Sequence, residues 1–291
     1  MDGGTNRAMR ISKREGRNMI PKVIHYCWFG GNEKSPQMMT YIDSWKKYCP
    51  DYQIIEWNET NYDVTKHPFM AKAYQAKKWA FVSDYARVDI LHEQGGIYLD
   101  TDVELISGLD AFLQYDFFAG FESESIVAFG LGFGAVAGHP ILKDILEYYD
   151  HIEFPDDVSL LSKIACPIIQ TEVLKKHGLV CNNREQDIEG GRVFDTEYFC
   201  PMSFQTGEMK CTAKTVSIHH YDMSWTSKEN IEKKRLEWRM INRFGYERGK
   251  KAAALVSLPG KMVRFPGKVI AHLRKGDLKA YFTFLFRKRD S

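Results

Sequence analysis

Asp100 and Asp102 stand one residue apart in the stretch Gly95-Gly96-Ile97-Tyr98-Leu99-Asp100-Thr101-Asp102-Val103-Glu104-Leu105. The two glycines stop a helix, and the apolar run after them reads as a strand. Side chains alternate faces along a strand, so the spacing predicts that both carboxylates point the same way. Two carboxylates on one face repel unless a positive charge sits between them. A hard divalent cation, Mn²⁺ or Mg²⁺, prefers carboxylate oxygens and leaves positions open for phosphate. An isolated Asp-x-Asp also occurs as two solvated aspartates at a strand end, so its neighbours decide its meaning.

Two further clusters have complementary chemistry. Ser83-Asp84-x-x-Arg87 lies on the helix before the strand, with Asp84 and Arg87 on one face at i, i+3. Such spacing commonly marks a surface ion pair. Here the helix enters the strand through only two glycines and must pack beside it, where Asp and Arg can hydrogen-bond a polyhydroxylated ligand. His219-His220-Tyr221-Asp222-Met223-Ser224-Trp225 follows the last predicted strand. One of the two histidines can complete a metal site, and Ser224 and Trp225 can reach phosphate oxygens. Taken alone, the segment reads more plainly as an ordinary partly buried histidine.

The elements that must position these groups alternate in type. An apolar strand ends at Gly30-Gly31, a helix covers about 38–48 and stops before Pro50, and a second strand covers 52–57. This β-α-β opening predicts a parallel α/β sheet. A helical region is expected over about 69–94, strands at 117–121 and 130–137, and helices at 141–149 and 168–177. Residues 180–218 look irregular, with short strands around Gly190-Gly191. A last strand covers 215–221, and a charged helix covers 230–244.

The chain has 291 residues, 44% hydrophobic and 27% charged, which suits an ordinary globular protein with a sizeable core. A net charge of +2 gives no global field for nucleic acid. The six cysteines show no C-x-x-C pair, no secretory signal is visible, and no run is apolar enough to span a membrane. Reduced thiols and a cytoplasmic location are expected. The expected domains are a disordered leader at 1–18, an α/β domain at 19–245 and a basic amphipathic helical extension at 246–291; Met19 is a plausible true start. Residues 261–291 hold nine basic and two acidic residues, a net +7, interleaved with aromatic and aliphatic ones. Such a tail suits peripheral contact with the inner face of the cell membrane, or a solvated helix packed on the domain.

On these residues the chain resembles the retaining glycosyltransferases of family 32, the bacterial capsular-polysaccharide and yeast initiation-mannosyltransferase type named for an Asp-x-Asp sugar-binding region. The resemblance is strongest at 20–31, at Ser44-Trp45-Lys46-Lys47-Tyr48-Cys49-Pro50 through Trp57-Asn58, at 79–105 and at 219–225. The glucosyltransferase domain of large clostridial toxins is similar in Trp28-Phe29-Gly30-Gly31, in Ser83-Asp84-x-x-Arg87 and in Tyr98-Leu99-Asp100-x-Asp102. The resemblance implies a GT-A type, Rossmann-like mixed sheet flanked by helices. It implies that Trp28 stacks on the nucleotide base and that Asp84 and Arg87 hold the transferred sugar, with Ser83 and Tyr98 nearby. Asp100 would contact ribose or a metal-bound water, and Asp102 would ligate the metal. His219 is preferred beside the metal because the family reads His-x-aromatic, and His220 is the alternative. Ser224 and Trp225 would contact the diphosphate. Many relatives carry Asn in the segment matching 129–135, where this chain has Gly130-Leu131-Gly132-Phe133-Gly134.

The implied function is metal-dependent transfer of a hexose or N-acetylhexosamine from a nucleotide sugar to a glycan or lipid-linked glycan acceptor in cell-surface polysaccharide synthesis. UDP-sugars are preferred as donors over GDP-sugars. The alternatives are a protein acceptor, as in the toxins, or a non-catalytic nucleotide-sugar-binding scaffold.

Overall fold

The computed structural model describes residues 19–223 and 226–256. The expected leader, Ser224, Trp225 and the basic tail at 261–291 lie outside the described residues. The chain forms two compact units, one running to Ile231 and one from Glu232 onward. The sequence reading set its boundary at 245, after the charged helix α7 (Lys228–Phe244). The unit boundary falls inside that helix, which is followed by α8 (Tyr246–Val256).

The first unit is built on a seven-stranded mixed sheet of order β2-β1-β3-β6-β5-β8-β7. Its strands are β1 (Val23–Cys27), β2 (Gln53–Trp57), β3 (Gly96–Tyr98), β5 (Phe117–Gly120), β6 (Phe133–Ala135), β7 (Gln186–Ile188) and β8 (Gly191–Phe194). The expected β-α-β opening is present: β1 and β2 are parallel and joined by α1 (Pro36–Tyr48), and β3 lies parallel to β1 on its other side. Ser35 starts α1 by accepting a hydrogen bond from the Met38 N–H, with Pro36 in the first turn. The apolar face of α1 buries Met38, Tyr41, Ile42 and Trp45. Trp45 donates its indole N–H to the Val103 carbonyl, and Ser44 Oγ accepts from Leu105 N–H. The family-like Ser44-Trp45 pair therefore holds the backbone just after Asp102.

The helical region at 69–94 is two helices, α2 (Pro68–Gln75) and α3 (Trp79–Gln94). Lys77 breaks them apart at φ 55. Helix α3 is buried along most of its length, and packs against β1, β3 and β6 and between α2 and α4 (Pro140–Asp150). Gly95 and Gly96 turn α3 into β3 at φ 68 and 109. A Cβ at Gly96 would meet His25 Nε2 at 2.7 Å. That histidine is neutral, because burial lowers its pKa to about 4. Its ring nitrogens face the Gly95 carbonyl and the Trp57 indole N–H, which fixes the tautomer with the proton on Nε2.

One expectation needs correction. The Asp-x-Asp stretch is not one strand. After β3 the chain turns through 100–103, with Val103 N–H donating to the Asp100 carbonyl, and enters β4 (Val103–Leu105) in a separate two-stranded sheet. The short strands expected in 180–218 around Gly190-Gly191 are present as β7 and β8. β8 pairs in parallel with β5 and extends the main sheet, and α6 (Thr196–Phe199) follows it. Helix α5 (Cys166–Lys176) matches the helix expected at 168–177. No helix among the described residues is long and apolar enough to cross a membrane.

Candidate active site

Asp100 and Asp102 converge because of the turn, not through strand alternation. Three hydrogen bonds lock this part of the chain: Leu99 N–H to His25 O, Asp100 N–H to Gly130 O, and Val103 N–H to Asp100 O. β4 then pairs antiparallel with β9 (Ser217–His219), setting Val103 opposite His219. This pairing returns the distant histidine segment to the aspartates. Each of Asp100, Asp102 and His219 offers a ligand atom, and these atoms all lie within 4.8 Å of one another. His219 Nε2 is 3.2 Å from Asp102 Oδ1, and Asp102 Oδ2 accepts the Asp222 N–H at 2.9 Å.

The donor set fits a divalent cation. It offers two carboxylates and one imidazole, 27%, 15% and 13% exposed, so the cluster opens to solvent without dissolving into it. The other ring nitrogen of His219, Nδ1, is buried without a hydrogen-bond partner. His219 stays protonated to about pH 9: burial works against the charge, but Asp102, Asp100 and Glu122 outweigh it. Burial also acts against ionisation of Asp102, and His219 with the Asp222 N–H overcomes it, holding Asp102 below its usual value. Asp100 goes the other way, raised by burial and by Asp102 despite Arg87. Without metal, His219 is a bound counter-charge. Its pKa is raised on folding, so its stabilisation is full below about 6.5 and is lost as pH rises through about 9. In chelator, the melting temperature of the wild type should fall between those values relative to His219→Gln; parallel curves would show that His219 carries no such charge.

His220 does not join the cluster, which corrects its alternative placement as a ligand. Its Nε2 faces Glu104 Oε2 at 2.8 Å, and its ring stacks on Tyr41 at 4.5 Å. Its backbone N–H donates to the Asp102 carbonyl. Neighbouring residues at a strand end point to opposite sides, so only one of the pair can face the aspartates.

The Asp84/Arg87 pair reaches the same place from α3. Arg87 Nη2 lies 3.1 Å from Asp84 Oδ1 and 3.2 Å from Asp100 Oδ1, and Nε donates to the Ser83 carbonyl. The guanidinium stands 4.9 Å from the Tyr98 ring centroid, and Tyr98 OH donates to Asp100 Oδ1. Arg87 thus joins the carboxylate on the helix to the carboxylate at the turn. The Cys166 thiol donates to Asp84 from the start of α5. Ser83 spends its O–H on the Trp79 carbonyl within the helix. Tyr98 is buried, supporting Asp100 from beneath.

Residues 35–118 match the family model described as glycosyltransferase sugar-binding region containing DXD motif. The chain is 29% identical over 139 residues to inositol phosphoceramide mannosyltransferase 3 of Schizosaccharomyces pombe, covering 46% of this chain and 38% of that protein. It is 32% identical over 106 residues to an uncharacterised glycosyltransferase of Acanthamoeba polyphaga mimivirus, covering 34% of this chain and 42% of that one. The chain therefore spans well under half the length of these relatives. Among solved structures it is similar to the PaToxG glycosyltransferase at 20% identity and a TM-score of 0.47, over 59% of this chain and 74% of that one.

Trp28 follows the C-terminal end of β1. Its indole N–H donates to the Asn32 carbonyl at 2.6 Å, and Lys34 Nζ lies 5.6 Å from its ring centroid. Beyond Gly30 and Gly31 opens a cleft of about 580 Å³ walled by Tyr74 and Trp79. The Trp79 indole takes the place of a side chain at Gly30, where a Cβ would stand 2.6 Å from Cε2. Sequence reasoning did not single out Trp79, although it lies one turn before Ser83 on the motif helix. It also missed Glu122, a buried carboxyl whose charge helps to hold the proton on His219. No local pattern marks Glu122, because it follows β5 of the main sheet while His219 ends β9 of the two-stranded sheet, far away in sequence.

Proposed function

We propose that this protein is a retaining, divalent-metal-dependent glycosyltransferase. It would move a hexose or N-acetylhexosamine from a nucleotide sugar to a glycan or lipid-linked glycan acceptor. The observation that carries this reading is the convergence of Asp100, Asp102 and His219 beside the buried Asp84/Arg87 pair. Asp102 and His219 would hold the cation, and Asp100 would contact it through water or hold the ribose. The mixed oxygen and nitrogen set suits Mn²⁺ better than Mg²⁺. The cation would neutralise charge developing on the departing diphosphate.

The chain's own groups do the rest. Asp84 orients the sugar and stabilises positive charge at the anomeric carbon, while Arg87 holds Asp84 and Asp100 at their spacing. Ser224 and Trp225, which lie outside the described residues, would donate to the diphosphate. Trp28 and the aromatic cleft at Tyr74 and Trp79 take the nucleoside. The acceptor oxygen forms a bond to the anomeric carbon on the leaving-group face as the bond to the diphosphate oxygen breaks. The electron pair leaves on the diphosphate, which also receives the acceptor's proton. UDP-sugars remain the preferred donors. The names of the fission yeast relatives bring mannose, and with it GDP-mannose, into the panel to be tested. Incubation with each donor and Mn²⁺, followed by ¹H NMR, should show release of the nucleoside diphosphate and a first-formed sugar that keeps the donor's configuration. Release of the opposite anomer would overturn retention.

The location we propose is the cytoplasmic face of the cell membrane, with the basic segment 261–291 at the surface. The whole chain should sediment with anionic vesicles, and a chain lacking 261–291 should not. Equal sedimentation would remove the tail from the account.

A further inference from the structure

The Gly130-Leu131-Gly132-Phe133-Gly134 run has a use within this fold. Gly130 lies in the 3-10 turn Phe129–Leu131, directly against Asp100. A Cβ built there would stand 2.1 Å from Asp100 Oδ2, 3.1 Å from Asp100 Cγ and 3.2 Å from Arg87 Nη1. The Asp100 carboxylate therefore occupies the space that any side chain at 130 would need.

The turn cannot step aside. The Gly130 carbonyl accepts the Asp100 N–H, continuing the β3–β6 pairing that joins Tyr98 to Phe133. From the other side, α5 grips the same segment: Thr171 Oγ1 accepts the Val127 N–H and Gln170 Oε1 accepts the Phe129 N–H. Phe129 and Leu131 on either side are fully buried. With the backbone fixed at both flanks, an added methyl must move Asp100, which would break its contacts to Tyr98 OH and Arg87.

We propose that Gly130 is a positioning residue for Asp100: its missing side chain sets the carboxylate back against the turn, between Tyr98 and Arg87 and within reach of Asp102 and His219. A side chain at 130 cannot coexist with Asp100 in this pose. The inference deepens the reading of the site given above, but its test in metal-free protein stands apart from that reading.

The test is a double-mutant cycle of Gly130→Ala and Asp100→Ala, read by melting temperature in chelator and by Mn²⁺ affinity from calorimetry. Gly134→Ala serves as control, since a Cβ there meets Phe118 at 2.3 Å and not Asp100. Overpacking predicts that Gly130→Ala lowers the melting temperature by about 5 °C in the wild-type background. In the Asp100→Ala background the same change should cost less than about 1 °C, because its clash partner is gone. Gly134→Ala should cost the same in both backgrounds. Displacing Asp100 should also weaken Mn²⁺ binding by roughly tenfold. An equal cost of Gly130→Ala in both backgrounds, or no cost in either, overturns the proposal. If Gly130→Ala does not fold, recovery of soluble protein on adding Asp100→Ala supports the proposal, and failure to recover it overturns it. Should the wild type bind no Mn²⁺, the functional reading fails, and the melting-temperature cycle still decides the role of Gly130.

Discussion

Replacing Arg87 by alanine should cost about 3–5 kcal/mol of folding stability, the usual size when one partner of a buried ion pair is removed. The guanidinium is 5% exposed and lies between Asp84 and Asp100, which are 10% and 27% exposed. Without it, two carboxylates face each other across the place it filled, and Asp100 keeps the Tyr98 O–H and the nearby His219. For a unit of this size the melting temperature should drop by about 10 °C. Arg87→Lys should recover only part of the loss, because an ammonium cannot span two carboxylates and the Ser83 carbonyl as a planar fork does. The deficit should narrow as pH falls from about 7 to about 5, where the abandoned carboxylates take up protons. Urea unfolding of the three proteins at both pH values measures this. A loss below about 1 kcal/mol would mean that Arg87 is a surface residue and not the brace of the site.

Asp102→Asn should lower glycosyl transfer by about 10²–10³-fold, as expected when a central group stabilising transition-state charge is removed. It is the aspartate that both faces His219 and accepts the Asp222 N–H. The amide keeps the shape and an acceptor for that N–H, so the loss should fall on activity and Mn²⁺ affinity more than on folding. His219→Ala should follow it. His220→Ala should leave Mn²⁺ affinity within about threefold, because a structural histidine outside the ligand shell lacks the leverage of a ligand. Full activity in Asp102→Asn, or a larger effect at His220 than at His219, would contradict the arrangement.

Much of this was legible in the chain, for identifiable reasons. The β-α-β opening carries local signals: the Ser35 cap, Pro36, and an apolar stripe at Met38, Ile42 and Trp45. The motif helix showed its Asp84/Arg87 face through i, i+3 spacing, and Gly95-Gly96 marked its end. What stayed hidden depends on distant pairing. The split at 100–103 comes from hydrogen bonds to His25 and Gly130, and an apolar run gives no sign of a change of sheet. The role of β8 rests on its parallel partner β5, far away in sequence. The choice between His219 and His220 needed the pairing of β4 with β9. The resemblance gives Arg87 a sugar contact, and its geometry adds a brace between Asp84 and Asp100.

The most direct test of the central claim is thermal stability against a panel of UDP- and GDP-sugars, each with and without Mn²⁺. A ligand that binds only the native state raises the melting temperature by mass action, by about 2.7 kcal/mol of stability at one hundred times its Kd. The account predicts a shift that needs both Mn²⁺ and one class of nucleotide sugar, and that disappears in Asp102→Asn. No shift with any pair, or the same shift in Asp102→Asn, would contradict it.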